Sequence, residues 1–154
     1  MERAQALAII LCCGLALGCV YPPSTTATPR SPTYAAASFA KTWDAVIDVF
    51  AERNIPLRTL DRSSGFAATD ELGADGSARW ADCGSDAIHG DVGPRYAIWN
   101  VRLKGDSTAA LILVTARWWM FRGKGTNVTR VDCVTTDAWE REAEEAIRDR
   151  AQHS

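Results

Sequence analysis

Three residues in one short segment have the side-chain chemistry of a hydrolase. Ser85, Asp86 and His89 match the nucleophile, the orienting acid and the general base of a catalytic triad. However, the chain contains no G-x-S-x-G elbow, the strand–turn–helix motif that exposes the nucleophile in α/β-hydrolases. A single histidine in a polar loop is more often only a surface residue. We therefore predict that the chain has no catalytic residues and is not an enzyme.

Four aspartates around the same segment could supply oxygen ligands to a calcium ion: Asp75, Asp82, Asp86 and Asp91. Their spacing differs from that of an EF-hand loop, so a solvated acidic loop is the better interpretation. The sequence also lacks a glycine-rich phosphate-binding loop. We expect neither a metal nor another cofactor.

Cys83 and Cys133 are the two cysteines outside the N-terminal region, and two cysteines in an oxidising compartment most simply form a disulfide. Closing a loop of about 50 residues would stabilise the fold by roughly 4 kcal/mol in the chain-entropy model. The alternative is a metal site that uses both thiolates and His89, but the sequence has no C-x-x-C pair to support it. The disulfide is the favoured prediction.

The N-terminal region has the features of a targeting segment. Residues 4–18 are apolar or small apart from Gln5, a run that suits the hydrophobic region of a signal peptide and is short for a membrane-spanning helix. The run ends at Ala16-Leu17-Gly18-Cys19, which resembles the lipobox of bacterial lipoproteins, where a small residue precedes the cysteine that receives lipid. The resemblance implies cleavage before Cys19 and lipidation of its thiol. An uncleaved anchor and an ordinary signal peptide are the alternatives.

The residues after Cys19 bear on location. Several acyl chains on one cysteine would hold the protein stably at a membrane. Because Val20 rather than aspartate follows the cysteine, we expect the outer membrane of a bacterial envelope, with the domain facing the periplasm. Residues 20–33 contain four prolines among serines and threonines, which is typical of an extended tether. At about 3.1 Å per residue, this tether could hold a domain roughly 40 Å from the bilayer.

The rest of the chain has the length of one domain. We place the signal peptide at residues 1–18, the lipidated cysteine and its tether at residues 19–35, and a single domain at residues 36–154. The composition is 47% hydrophobic and 23% charged, which permits a folded core. The net charge of −2 gives no basic field, so no nucleic-acid partner is expected.

The hydrophobic pattern of the domain predicts a first helix followed by a sheet. Apolar residues recur at helical spacing after Ser38, a suitable N-cap, and Asn54 and Pro56 end the helix. Short strands are predicted at residues 57–60 and 66–69, with Gly65 in the turn between them. A long loop at residues 73–93 and a meander of three strands follow.

A second helix closes the domain. Asp137 and Glu140 have the spacing of a capping box, and the helix is predicted to run to about Arg150. Glu144 and Arg148 are spaced as an i, i+4 ion pair. The order α-β-β-loop-β-β-β-α predicts an α+β fold, a two-layer sandwich in which an antiparallel sheet of about five strands is packed by an N-terminal and a C-terminal helix.

One part of the domain resembles a known family. A tryptophan-containing helix, a short strand and the turn "DRSSG" at residues 61–65, leading into a second strand, are similar to the repeating unit of BamC-type (NlpB-like) outer-membrane lipoproteins. The resemblance covers residues 36–72. It implies a helix-grip fold, in which the sheet curls against a helix, and a link to the machinery that assembles outer-membrane barrels. BamC-type proteins carry two such domains and this chain has room for one, so no binding residue is transferred.

The six tryptophans indicate where a partner could bind. Three lie on predicted inward-facing stripes: Trp43, Trp99 and Trp139. Trp118 and Trp119 are consecutive in a strand and therefore point to opposite faces of the sheet. With Phe121, they form a candidate aromatic patch for binding a partner. The alternative, which we favour, is that the long loop with Trp80 covers this patch.

Two hypotheses about function follow. The first is a non-catalytic envelope lipoprotein, an accessory or assembly factor that is attached to the membrane by lipid and binds another envelope protein. The second is a domain that binds a small molecule or a lipid, because helix-grip folds often enclose an apolar cavity between sheet and helix. An enzyme built on Ser85 and His89 is a remote third.

Overall fold

The computed structural model describes residues 20–23, 29–74, 79–86 and 93–154. These residues form two helices, α1 (Phe39–Glu52) and α2 (Ala138–His153), and ten strands. The strands are β1 (Val20–Tyr21), β2 (Thr33–Ala35), β3 (Leu57–Asp61), β4 (Phe66–Thr69), β5 (Leu72–Gly73), β6 (Ala81–Asp82), β7 (Ser85–Asp86), β8 (Arg95–Gly105), β9 (Ala110–Lys124) and β10 (Asn127–Thr135). The predicted α+β class is confirmed. The strand count exceeds the expected five because five strands of two or three residues join the longer ones.

Eight strands form one antiparallel sheet in the order β3-β4-β8-β9-β10-β6, with β2 also paired to β9 and β5 also paired to β8. The long central pair β8–β9 runs from Arg95 opposite Met120 to Gly105 opposite Ala110. On its other edge, β9 meets two strands: β2 pairs with Ala110 to Ile112, and β10 pairs with Trp118 to Lys124. Residues 113–117 therefore face a gap between β2 and β10. The strands β1 and β7 pair separately.

Both helices cover the same face of this sheet. Alternate residues of β8 and β9, including Val101, Leu103, Ile112 and Val114, join residues of α1 and α2 in one buried cluster. The residues between them on the same strands are mostly half-buried or exposed, and neither α1 nor α2 covers this outer face. This arrangement is a two-layer sandwich.

The ends of α1 agree with the sequence prediction. The Ser38 hydroxyl accepts a hydrogen bond from the Lys41 amide at 3.3 Å, as an N-cap does. Asn54 follows the helix with φ of +54°, the left-handed conformation that asparagine tolerates better than most residues. Both ends are therefore determined by local side-chain chemistry.

The "DRSSG" segment forms the predicted turn between β3 and β4. The Asp61 carboxylate accepts hydrogen bonds from the hydroxyls of Ser63 and Ser64 at 2.6 and 2.8 Å and from both their amides. These bonds, the Ser63 hydroxyl first, lower the pKa of Asp61 to about 2. Gly65 has φ of +67°, and a Cβ there would lie 2.2 Å from the carbonyl oxygen of Leu103, so only glycine fits.

The predicted capping box of α2 is wrong. Asp137 adopts a left-handed conformation with φ of +61° and makes no side-chain cap bond. Glu140 points inward instead, is almost fully buried and accepts a hydrogen bond from the Thr135 hydroxyl at 2.6 Å. The helix also extends beyond Arg150 to His153.

The predicted pairing of Glu144 with Arg148 is wrong as well. Glu144 faces the sheet and is 1% exposed, whereas Arg148 contacts the neighbouring Asp149 on the surface. The partner of Glu144 is Arg30, which is 114 residues away in sequence. Because Arg30 and β2 are part of the folded body, that body begins N-terminal to the predicted boundary at residue 36. In the part of the chain that the structure describes, neither helix has the length and apolar character needed to cross a bilayer.

Candidate functional site

The residues predicted to bear catalytic or metal-binding chemistry are not assembled into a site by the described part of the chain. Ser85 and Asp86 form β7, which pairs with β1. His89, Asp75 and Asp91 lie outside the described residues, as does Cys19. Across the described ranges, no three histidine, cysteine, aspartate or glutamate residues are grouped closely enough to hold a metal ion.

Cys83 and Cys133 form the predicted disulfide, with their sulfur atoms 2.06 Å apart. The bond joins Cys83, which lies between β6 and β7 in the region predicted as a long loop, to Cys133 of β10. The Arg122 guanidinium strengthens this attachment by donating to the carbonyl oxygens of Cys83 and Gly84 at 3.2 and 3.1 Å. The metal-site alternative fails because both thiols are consumed by the bond.

The predicted aromatic patch is wrong for its two tryptophans. Trp118 and Trp119 do point to opposite faces, but each is only 2% exposed. Trp118 packs in the helix-covered core, with its ring centroid 6.2 Å from that of Trp80, as the alternative interpretation expected. Trp119 lies on the outer face between the Tyr96 ring and the Arg130 guanidinium, whose Cζ is 4.2 Å from its centroid. Phe121 alone remains accessible, at 41%.

A cleft opens where the C-terminal end of α1 and the N-terminal half of α2 meet the sheet. We call it the tryptophan cleft; its volume is about 480 Å³. It is lined by Arg53, Asn54, Ile55, Leu72, Gly73, Ala74, Arg79, Trp80, Trp99, Trp139 and Glu142. This volume is within the range of small-molecule sites, which combine apolar walls with a few polar groups.

Tryptophan rings form the walls of the cleft. The centroids of Trp99 and Trp139 lie 4.8 Å apart, and Trp118 packs edge-on against Trp99 at 5.4 Å. Phe50 of α1 then supports Trp139 at 5.8 Å. Because these rings belong to the buried cluster, the walls are held rigidly by the same packing that stabilises the fold.

Two arginines lie at the mouth of the cleft. The Arg53 Cζ is 5.5 Å from the Trp139 centroid, and the Arg79 Cζ is 4.8 Å from the Trp80 centroid, both within cation–π range. Glu142 stands between them, with its two carboxylate oxygens 3.7 and 3.8 Å from the two guanidiniums. Glu142 is half exposed and these contacts are long, so each ion pair is weak. Two cations facing one carboxylate leave a net charge of +1 at the mouth.

One polar group of the cleft residues lacks a partner. The indole N–H of Trp99 is buried and donates to no acceptor among the described residues. A buried donor without an acceptor costs about 1–3 kcal/mol.

A second polar cluster fills the gap in the sheet at residues 113–117. The Glu144 carboxylate accepts from the Val114 amide at 2.8 Å, the Arg30 guanidinium at 2.9 Å and the Thr33 hydroxyl at 2.7 Å. Arg30 also donates to the Val114 carbonyl at 2.8 Å. These side chains thus replace the strand that the gap lacks. Glu144 is buried, Arg30 and Thr33 are partly buried, and their polar groups satisfy one another, which indicates a structural role.

Glu140 lies beside this cluster, and burial raises the pKa of its carboxyl, opposed by the hydrogen bond from Thr135. In the described ranges, its Oε2 atom has no hydrogen-bond partner. The carboxyl is therefore held in an environment that favours the protonated form.

A scan against protein-family models and a search of curated proteins each return no match for this chain. The similarity to BamC-type lipoproteins therefore remains a prediction based on residues 36–72.

Proposed function

We propose that the chain is a non-catalytic, lipid-anchored protein of the bacterial envelope whose domain binds a ligand in the tryptophan cleft. The observation that carries this proposal is the cleft itself, with walls of tryptophan and two cations at the mouth. Flat apolar walls favour an aromatic ring or an acyl chain. The cations favour a ligand that also carries an acidic oxygen group.

The lipid anchor at Cys19 and an outer-membrane location belong to the same proposal. They are supported by the resemblance of residues 16–19 to a lipobox and by Val20 at the following position. The disulfide is consistent with an oxidising compartment such as the periplasm. Palmitate labelling of the wild type and of a Cys19→Ala variant tests the anchor: we expect label only in the wild type, and equal labelling of both would refute it.

Native mass spectrometry tests the ligand. The protein is purified from its membranes in a mild detergent, and we expect a co-purifying small molecule. The variant R53E/R79E reverses both charges at the mouth and should lose most of that molecule. The variant R58E/R62E makes the same charge change on exposed arginines outside the cleft and serves as the control.

Tryptophan emission provides a second measurement of ligand binding in the cleft. Titration with aromatic and long-chain carboxylates should shift the emission of the wild type and of the control, but not that of R53E/R79E. If no molecule co-purifies and none of these acids shifts the emission, the cleft is not a ligand site.

The second candidate function is binding of another envelope protein, as expected of an accessory or assembly factor. It is favoured by exposed apolar side chains on the uncovered outer face of the sheet, Tyr34 at 61% and Phe121 at 41%. Crosslinking from position 121 in native membranes tests it. Capture of one defined envelope protein, lost on adding soluble wild-type domain as competitor, would support it, and a clean negative would count against it.

A further inference from the structure

The outer face of the central strand pair carries cations that the rest of the fold leaves without partners. In the ranges that the structure describes, Arg102, Lys104 and Arg117 make no ion pair, hydrogen bond or ring contact, whereas the other arginines there each have a partner. Arg102 and Lys104 lie on β8, and Arg117 lies on β9 opposite Ile98. All three side chains are exposed, so their charge is free to act on another molecule.

Acidic residues do not offset this charge. Neither β8 nor β9 contains an aspartate or a glutamate. The acidic residues on the outer face of the flanking strands are already engaged: Asp61 of β3 accepts from Ser63 and Ser64, and Asp132 of β10 contacts Arg130. The central strand pair therefore presents an outer face that attracts an anion.

Two adjoining hollows in this face indicate where such an anion lies. The first, of about 370 Å³, is lined by Phe66, Asn100, Arg102, Leu113 and Thr115. The second, of about 300 Å³, is lined by Pro32, Arg102, Lys104, Leu111 and Leu113. We call the two together the basic groove, because they share Arg102 and Leu113 and are therefore continuous. Arg102 is paired across the strands with Leu113, and Lys104 with Leu111, so a row of cations runs beside an apolar strip.

The strand register gives the length of this cationic surface. It extends along β8 from position 98, opposite Arg117, to Lys104. At about 3.4 Å per residue this is roughly 20 Å, the length of an extended segment of about six or seven residues. Arg102 and Lys104 are successive outward-facing residues of one strand. An extended segment with acidic residues at alternate positions has the same spacing of side chains on one face.

The apolar strip decides between kinds of anion. A hydrophilic polyanion would leave Leu111 and Leu113 without apolar contacts, and Leu111 is 41% exposed. A bilayer surface covers side chains that project, whereas Leu113 is half-buried between the two hollows. A protein segment that carries both acidic and apolar residues complements the cations and the apolar strip together.

We propose that the basic groove binds an extended acidic segment of another envelope protein, with its carboxylates on Arg102 and Lys104 and its apolar side chains on Leu111 and Leu113. This inference rests on the second candidate function, the binding of an envelope protein at the outer face of the sheet, and it names the chemistry of that partner. It is independent of the ligand in the tryptophan cleft, which lies on the helix-covered side of the sheet.

Fluorescence anisotropy tests the basic groove with labelled peptides of about eight residues, long enough to span it. Three peptides alternate two residue types: glutamate with leucine, glutamate with serine, and lysine with leucine. The whole chain is used in a mild non-ionic detergent, and micelles without protein give the background. The variant R102E/K104E reverses the charge of the groove. The variant R148E/R150E makes the same charge change on the surface of α2 and serves as the matched control, with circular dichroism to show that both variants are folded.

We expect the glutamate–leucine peptide to bind the wild type and the control more tightly than the other two peptides do. An exposed contact between a cation and a carboxylate contributes up to about a fivefold factor to affinity, so R102E/K104E, which loses two such contacts, should bind this peptide about 25-fold more weakly. High salt should weaken the binding to the wild type.

Several results would overturn the proposal. If the glutamate–leucine peptide does not bind the wild type, or binds R102E/K104E equally well, the basic groove is not a site for acidic segments. If the glutamate–serine peptide binds as tightly, or if polyphosphate or phosphatidylglycerol micelles displace the glutamate–leucine peptide, the cations serve a polyanion or a headgroup surface instead. A wild-type dimer in light scattering that R102E/K104E abolishes would make a second copy of the chain the occupant.

The crosslinking from position 121 separates this inference from the function on which it rests. Capture of one defined envelope protein by the wild type, lost in R102E/K104E and retained in R148E/R150E, would support both. Capture that survives R102E/K104E would support the second candidate function and overturn the acidic segment. No capture by the wild type would count against the candidate function itself.

Discussion

The buried contact between Arg30 and Glu144 should be among the largest single contributions to the stability of this protein. The Glu144 side chain is 2% exposed and that of Arg30 is 15% exposed. The change Glu144→Ala leaves the Val114 amide, the Thr33 hydroxyl and the Arg30 charge without their shared acceptor. Removing one partner of a buried ion pair costs about 3–5 kcal/mol. This is a large share of the roughly 5–15 kcal/mol by which a typical domain is stable.

Removing the other partner, Arg30, should reduce the free energy of unfolding by less. In Arg30→Met, the Glu144 carboxylate keeps two donors, the Val114 amide and the Thr33 hydroxyl, so we expect a loss of about 1.5–3 kcal/mol. In the double variant R30M/E144A, no charge is buried alone, and its loss should be smaller than that of Glu144→Ala. The two positions should therefore couple by about 1–3 kcal/mol in a double-mutant cycle.

Urea unfolding at pH 7, followed by tryptophan fluorescence, measures all four proteins. A matched control is Arg150→Met, which removes an arginine whose ion pairs with Asp48 and Glu52 are on the surface and should cost under about 1 kcal/mol. The reasoning is refuted if Glu144→Ala costs no more than this control. It is also refuted if the double variant loses the full sum of the single losses.

Three further predictions concern stability. The variant C83S/C133S should lose about 4 kcal/mol in urea unfolding, because the disulfide closes a loop with a sequence separation of 50 residues, and reduction of the wild type should have an equal effect. Burial raises the pKa of Glu140 above its ordinary 4.5, so the stability that its proton provides is complete below pH 4.5 and is lost as pH rises through the folded-state value. Glu140→Gln should flatten that decline in unfolding midpoints measured at a series of pH values, and an unchanged slope would contradict the assignment. The pKa of Asp61 falls from 3.8 to about 2 on folding, so its contribution to stability is present above pH 3.8 and is lost as pH falls towards 2. The change Asp61→Asn should remove this loss of stability in acid. A steep loss that persists in the variant would have another origin.

The elements with local signals could be predicted from the sequence. The ends of α1 follow from Ser38 and Asn54, and the turn at residues 61–65 follows from Asp61 and Gly65, because each of these conformations is determined by the residue itself and its near neighbours. The disulfide followed from the compartment and the count of cysteines. The layer order followed from the periods of the apolar residues.

The polar residues of α2 could not be predicted in the same way. Glu140 and Glu144 occupy positions that suit a capping box and a surface ion pair, yet both turn inward. The reason is a gap in the sheet at residues 113–117, which needs a side-chain acceptor for the Val114 amide. No local sequence pattern predicts that gap, because it lies between the part of β9 that pairs with β2 and the part that pairs with β10.

The tryptophan cleft was only partly visible in the sequence. The inward positions of Trp99 and Trp139 followed from periodicity, and an apolar cavity was expected from the helix-grip resemblance. The arginines at its mouth carried no signal, because Arg53 follows a helix and Arg79 lies in a region predicted as loop. The packing of Trp119 beneath Tyr96 and Arg130 was equally hidden, since it depends on cross-strand register.

The bonds from Arg30 and Thr33 to Glu144 also have a mechanical consequence. They fasten the segment that leads into β2 to the last helix, across sequence separations of 114 and 111 residues. Tension applied at Pro29 is therefore transmitted to α2 and to the central strand β9 while β2 is still paired. We expect the main sheet and its helices to resist this pull as a single unit and to unfold in one step.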